Sequence, residues 1–207
     1  MSKLITIVDY GMGNLWSVRS AVRYLGYNAV VSSKPAEIAN ADALILPGVG
    51  SFRTAMLALK NSRLDEAILD AVLNRERKII GICLGMQLLA MHSTEDGETR
   101  GLGLIPTEVE RFDIDVMSSV KVPHIGFNEV RSQDQSVLFK NIAPSSDFYF
   151  VHSYCLRAGE VHGCHAICHY GQDFIAAYEH ENIFATQFHP EKSQTNGLKL
   201  LNNFLGY

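Results

Sequence analysis

The stretch Lys78-Ile79-Ile80-Gly81-Ile82-Cys83-Leu84-Gly85-Met86-Gln87 sets an apolar strand directly against the start of a helix, with a cysteine at the junction and a glycine two residues to either side. A chain that passes from strand Lys78 to Ile82 into a helix from Leu84 to His92 must reverse sharply. Such an elbow holds its central residue strained and exposed above the sheet. Gly81 and Gly85 fit this reading because a side chain at either place would crowd the turn. The new helix also aims free backbone N–H groups at the sulfur, which favours thiolate over thiol. Cys83 is therefore a candidate nucleophile. The competing reading is a buried structural cysteine, the commoner fate of a lone Cys.

A partner for that sulfur stands near the other end of the chain, in Gln187-Phe188-His189-Pro190-Glu191-Lys192-Ser193, after the strand-like run Ile183 to Thr186. In an extended segment, side chains two apart share a face. Glu191 can then hydrogen-bond one nitrogen of His189 while the other turns toward Cys83. Nucleophile, base and orienting carboxylate are together what amide cleavage demands, since the imidazole keeps the thiolate and protonates the leaving amine. A third element is Leu44-Ile45-Leu46-Pro47-Gly48-Val49-Gly50-Ser51-Phe52, an apolar strand ending in a glycine loop. Its N–H groups can point inward as an oxyanion hole, with Val49 and Leu84 the natural pair of donors, each worth roughly 2.7 to 4 kcal/mol in the transition state. The loop lacks the lysine and spacing of a phosphate-binding motif.

Apolar strand runs alternate with helical patterns through the first half: Leu4 to Val8, a helix from Asn14 to Leu25, Ala29 to Ser32, Ala43 to Leu46, helices from Phe52 to Leu59 and from Leu64 to Asn74, then Ile79 to Ile82. This alternation predicts an α/β fold with a doubly wound, mostly parallel open sheet. Cys83 then lies at the carboxyl end of a strand, where such sheets place their sites. From Thr107 to Thr186 short strands rich in Val, Tyr, Phe and His predict an added antiparallel region, with turn signals at Gly159-Glu160 and Tyr170-Gly171. A final helix is expected from Gln194 to Phe204, and a polar exposed loop from Thr94 to Arg100. No linker or repeat interrupts the pattern, so residues 1–207 read as one domain.

Charge and apolar patterning narrow the partners. Eighteen basic against 22 acidic residues give a net charge of −4, with no electrostatic footprint for nucleic acid. No apolar run reaches about 18 residues, and Met1-Ser2-Lys3 leads into a strand without a cleavage site, so neither a membrane span nor a signal peptide is expected. The expected compartment is the cytoplasm, whose reducing conditions suit a reactive thiol among four cysteines. Cys155, His162, Cys164, His165, Cys168 and His169 fall within fifteen residues. They do not match the spacing of a zinc ribbon or finger, and the segment reads as a hairpin, Tyr154 to Arg157 pairing with His162 to His169. No metal and no cofactor is expected. His124 and His152 read as buried, hydrogen-bonded structural histidines, with a place near the site as the competing reading of each.

With the elbow, the glycine loop and the His-Pro-Glu triplet in view, the chain resembles the class I, triad-type glutamine amidotransferases. Asp9-Tyr10-Gly11-Met12-Gly13-Asn14-Leu15, Pro123-His124-Ile125-Gly126 and Phe150-Val151-His152-Ser153-Tyr154 extend the resemblance over nearly the whole length. It is most similar to glutaminase subunits that serve a (β/α)8-barrel synthase in histidine biosynthesis. The resemblance implies hydrolysis of L-glutamine to glutamate and ammonia. Cys83 would attack the side-chain amide, His189 would protonate the departing ammonia and activate water, and Glu191 would hold His189. Gly48, Gly50, Gln87 and the backbone of Ser153 and Tyr154 match substrate-contacting positions. Asn14, Tyr149 and Lys192 match positions at the interface with the barrel subunit in a heterodimer; read from the residues alone, Asn14 caps a helix, Tyr149 fills the core and Lys192 is solvated. The chain departs from its nearest pattern at Phe127, where a tryptophan is usual, and loses an indole donor there. That departure admits a paralogous subunit serving another synthase, such as one for a surface-polysaccharide amino sugar. A γ-glutamyl hydrolase or cysteine peptidase, or a silent binding module of the same fold, would share parts of the pattern.

Overall fold

The computed structural model describes residues 3–113, 120–133, 135–159 and 161–207. The first half winds as β1 (Ile5–Val8), α1 (Leu15–Tyr24), β2 (Ala29–Ser32), α2 (Pro35–Ala39), β3 (Ala43–Gly48), α3 (Phe52–Asn61), α4 (Leu64–Leu69), β4 (Lys78–Cys83) and α5 (Leu84–Leu88). Helix α4 runs on through a π-turn, Asp70–Asn74, so the helical stretch expected there is continuous. Asn14 caps α1, its side chain accepting from the Ser17 N–H at 3.4 Å. The strands are parallel in the order β2-β1-β3-β4, and β13 (Ile183–Thr186), from far along the chain, adds to them parallel to β4. Alternate residues of each strand enter opposite cores. Ile5, Ile7, Ile45, Ile80 and Ile82 pack with α1 and with α6 (Gln194–Gly206), whereas Leu44, Leu46 and Ile79 pack with α2, α3 and α4. Helices therefore cover both faces, as expected of a doubly wound sheet.

Beyond β13 the sheet turns mainly antiparallel. Its remaining strands are β5 (Ala90–Ser93), β6 (Thr99–Arg100), β7 (Ile105–Arg111), β8 (His124–Arg131), β9 (Ser145–His152), β10 (Tyr154–Arg157), β11 (Cys164–Tyr170) and β12 (Gln172–His180). The order continues β13-β12-β10-β7-β5-β6, and a branch leaves β12 as β11-β8-β9.

Three local expectations change. The helix after Cys83 ends at Leu88, not His92, because Ala90–Ser93 is taken up as β5, pairing in parallel with β7. Apolar residues in Leu88-Leu89-Ala90-Met91 suit either element, and tertiary pairing decides. The hairpin between Tyr154–Arg157 and the 162–169 segment does not form, since β12 lies between β10 and β11 and pairs with both. The tight turn instead joins β11 to β12 at Tyr170-Gly171-Gln172, with Gly171 at φ +73°. Of the other turn signal, Glu160 lies outside the described residues. Finally, the loop expected from Thr94 to Arg100 ends in β6 and sends Glu95 inward to the Phe52 N–H.

Candidate active site

Cys83 is the last residue of β4 and stands at φ +56°, ψ −112°, a backbone region that a residue with a Cβ rarely adopts. The cause is the closeness of α5 to β3. A Cβ on Gly85 would overlap the Leu46 carbonyl oxygen, and one on Gly81 would lie 2.7 Å from the Gly85 carbonyl carbon. Glycine at both places lets the helix press onto the strands, and Cys83 absorbs the reversal as strain.

His189 follows β13, which runs parallel beside β4 with Thr186 level with Ile82, so both chains leave the sheet at the same edge. His189 Nδ1 donates to Glu191 Oε1 at 2.8 Å, with side chains 3% and 1% exposed. The geometry differs from an extended pair: Pro190–Lys192 forms a 3-10 turn, and this turn brings the carboxylate round to the imidazole. The His189 N–H donates to the Tyr149 carbonyl, and Ser193 Oγ accepts from the Tyr149 N–H while donating to the His189 carbonyl. The histidine is thus pinned to β9 at both backbone groups.

Its other nitrogen, Nε2, is buried without an aligned hydrogen-bond partner. Burial alone would lower the His189 pKa, but interaction with Cys83 and Glu191 outweighs it and raises the value to about 9. Cys83 and His189 line the same pocket without a formed hydrogen bond between Sγ and Nε2, a geometry common in resting sites that tighten on substrate. Cys83 Sγ lies 3.8 Å from the Val151 carbonyl and 3.8 Å from Gln187 Nε2.

Around the sulfur is a pocket of about 300 Å³ lined by Val49, Gly50, Cys83, Leu84, Gln87, Glu95, Ser153, Tyr154 and His189, among others. Both oxyanion candidates are on this wall. Gly50 stands at φ +103°, as a glycine permits. Gly48 lies behind the wall, level with Cys83 across the β3–β4 pair, and a Cβ there would meet the Tyr10 hydroxyl and Leu84. Gln87, which lines the pocket, gives its Nε2 hydrogens to the Tyr154 carbonyl at 2.8 Å and to Gln187 Oε1 at 3.0 Å, so the remaining polar atom of its amide is the acceptor Oε1.

Three residues here escape the sequence reading. Glu95, on the wall, accepts from the Phe52 N–H at 2.7 Å, and burial raises its carboxyl pKa above the usual range. Gln187 touches the sulfur from inside the core. Tyr10 donates from its hydroxyl to the Pro47 carbonyl at 3.0 Å, bracing the glycine loop, and burial and then Cys83 push its phenol above the ordinary value. The Gln187 and Tyr10 motifs were visible as sequence, but only the fold puts them next to Cys83.

Tyr149 and Phe127 face each other across β9 and β8, ring centroids 5.5 Å apart, and the Lys192 ammonium lies 5.9 Å over the Tyr149 ring. Phe127, Ile125 and Val49 are about half exposed. The Cys/His-rich segment is spread over several strands. Cys155 and Cys168 are buried, which pushes both thiols up to about 12, and His169 pairs with Asp173 at 2.7 Å. Among the described residues no three His, Cys, Asp or Glu side chains converge as metal ligands.

The family described as glutamine amidotransferase class-I matches residues 6–206. The chain belongs to the class-I glutamine amidotransferases. Among curated relatives, the imidazole glycerol phosphate synthase subunit HisH 1 of Parasynechococcus marenigrum (strain WH8102) is 47% identical over 100% of this chain and 99% of its own. The HisH subunit of Chlorobaculum tepidum is 46% identical over 97% and 98%. Solved structures share the fold at low identity. A glutamine amidotransferase superposes with TM-score 0.74 at 20% identity, covering 97% of each chain. PurLQS from Thermotoga maritima does so with TM-score 0.72 at 17%, covering 100% and 99%.

The raised His189 pKa links the site of this amidotransferase to its stability. A group that binds its proton more tightly when folded contributes stability fully below its unfolded pKa of about 6.5 and loses it as pH rises through the folded value. Wild type should therefore hold a melting-temperature advantage over His189→Asn that shrinks between pH 7 and about 9.5. An advantage independent of pH over that range would mean that the imidazole is neutral in the folded protein.

Proposed function

We propose that this chain is the glutaminase subunit of imidazole glycerol phosphate synthase, hydrolysing L-glutamine to glutamate and ammonia in the cytoplasm and passing the ammonia to a (β/α)8-barrel synthase subunit. The observation that carries the reading is the strained Cys83 at the elbow, sharing one pocket with a His189 that Glu191 holds by Nδ1. Full-length similarity to proteins named as HisH subunits supports the pathway.

In the proposed reaction Cys83 sulfur, as thiolate, attacks the side-chain carbonyl carbon of glutamine. The carbonyl oxygen takes up negative charge facing the Val49 and Leu84 N–H groups. His189 Nε2, protonated, gives its proton to the departing nitrogen, the C–N bond breaks and ammonia leaves a γ-glutamyl thioester. The now neutral imidazole takes a proton from water, hydroxide adds to the thioester carbon, and glutamate departs as the thiolate and imidazolium re-form. Glu191 keeps one tautomer and orientation throughout. At the other end of the substrate, Glu95 carboxylate and Gln87 Oε1 are acceptors suited to an α-ammonium group, and the Ser153-Tyr154 corner supplies backbone for the carboxylate. Gly48 and Gly50 allow the loop to approach closely.

Free ammonia in neutral water takes up a proton and loses its lone pair, so a second site should sit over the pocket. The half-exposed Phe127 and Ile125, with the partly buried Tyr149, with Lys192 and with Asn14 in the opening loop, form the proposed docking face. Phe127 keeps an aromatic contact but no N–H donor, which is the specific observation favouring a second reading, a paralogous subunit on another barrel synthase. Reconstitution with candidate barrel subunits separates the two: ammonia should be delivered only to the cognate acceptor.

Cys83→Ala should abolish glutamine-dependent synthesis by the complex and leave synthesis from added ammonium salts intact. Loss of both would make Cys83 a structural residue. Glu95→Gln, which retains an acceptor for Phe52 but drops the charge, should raise KM for glutamine by about tenfold with kcat little changed, as expected for one charge-assisted hydrogen bond. An unchanged KM would remove Glu95 from the substrate site.

A further inference from the structure

Behind the pocket wall, hydrogen bonds run unbroken from the nucleophile to β8. Gln187 Nε2 lies 3.8 Å from Cys83 Sγ, and Gln187 Oε1 accepts from Gln87 Nε2 at 3.0 Å. Gln87 Nε2 also reaches the Tyr154 carbonyl at 2.8 Å, and that carbonyl takes a second hydrogen bond, from His152 Nδ1 at 2.8 Å. His152 Nε2 in turn faces His124 Nδ1 at 3.0 Å. The Tyr154 carbonyl fixes the protons along this line. A carbonyl only accepts, so His152 Nδ1 carries hydrogen, His152 Nε2 is a lone pair, and His124 Nδ1 is the donor to it. Burial holds His124 to about 4 and His152 to about 3, so both rings are neutral at ordinary pH and this tautomer order stands.

The two histidines differ in what they touch. His152 is on the pocket wall, whereas His124 is 2% exposed and stacked between Tyr170 and Phe150, ring centroids 3.8 and 4.7 Å away. His124 reaches the site only through His152. Tyr154 and Ser153 form the corner between β9 and β10, which begins at Tyr154, and the Phe112 N–H donates to the Ser153 carbonyl there at 3.3 Å. Beyond the backbone pairing to β7, two side-chain donors meet on the Tyr154 carbonyl, Gln87 from α5 and His152 from the end of β9.

We propose that His124 and His152 are positioning residues for the substrate: the His124 N–H fixes the His152 ring, which fixes the Tyr154 carbonyl and so the corner that grips the amino-acid end of glutamine. This rests on the glutaminase reading above. It assigns the pair a role beyond filling the core, because the hydrogen bond and not the ring stack is what matters for binding.

Two substitutions separate bond from stack. His124→Phe keeps an aromatic ring between Tyr170 and Phe150 but removes the donor. His124→Asn abandons the stack but places an amide nitrogen where Nδ1 sits. Glutamine hydrolysis by the full chain should show KM raised about five- to tenfold in His124→Phe with kcat within about twofold of wild type, the loss of one hydrogen bond. His124→Asn should recover most of the KM. A wild-type KM in His124→Phe, or a KM worse in His124→Asn than in His124→Phe, overturns the proposal, because either outcome makes the stack the active part. If His124→Phe does not fold, His124→Gln replaces it. Its amide reaches one bond farther, so it should bind glutamine less well than His124→Asn, and equal KM values overturn the proposal. An inactive wild-type chain with and without barrel partners would instead defeat the glutaminase reading, and the wild-type control reveals that separately.

Discussion

The contact between the Gly85 backbone and the Leu46 carbonyl sets the geometry of the whole site. With no Cβ at Gly85, α5 can lie directly on β3, and the only residue left to take up the reversal between β4 and α5 is Cys83. Its positive φ turns the chain from β4 straight into α5, which begins at Leu84. Strain of this kind costs about 1 to 3 kcal/mol and persists only where surrounding packing over-determines it. Here both cores do so, since Ile80 and Ile82 are anchored on one face and Ile79 and Leu84 on the other.

The remaining parts of the site are brought to that sulfur by non-local pairing. Strand β13 joins β4 in parallel from a hundred residues away, and its exit carries His189 to the level of Cys83. The antiparallel branch then closes the wall. Strand β9 supplies the Val151 carbonyl near the sulfur, the Tyr149 backbone that pins His189, and the turn into Ser153 and Tyr154. The parallel half therefore fixes Cys83, and β9 in the antiparallel half pins His189 and leads into the proposed substrate corner. Apart from His189 Nε2 and Glu191 Oε2, the buried polar side chains next to the thiol are hydrogen-bonded to one another or to backbone, which offsets their burial.

The sequence was most legible where a local pattern has only one physical solution. Glycines flanking a cysteine at a strand–helix junction specify the elbow, and alternating strand and helix runs specify the parallel half. It was least legible where partners are chosen at a distance. Nothing local in Cys155 or Cys168 announces that β12 separates β10 from β11, and Leu88 to Met91 is apolar enough for helix or strand until β7 pairs with it. Glu95 stood in a polar loop with no pattern of its own, and it becomes part of the pocket only because that loop folds over the start of α3. An extended strand would put His189 and Glu191 on one face, and the structure pairs them through a 3-10 turn, a different backbone route to the same contact.

The central claim is that Cys83 sulfur forms a covalent bond to the γ-carbonyl of glutamine. The most direct measurement is rapid acid quenching of the enzyme during glutamine turnover, followed by peptide mapping by mass spectrometry. A γ-glutamyl group on the peptide containing Cys83, appearing and decaying at the turnover rate, is the predicted result. Ammonia release with no acyl group on Cys83, or with the acyl group on Cys155, Cys164 or Cys168, would contradict it.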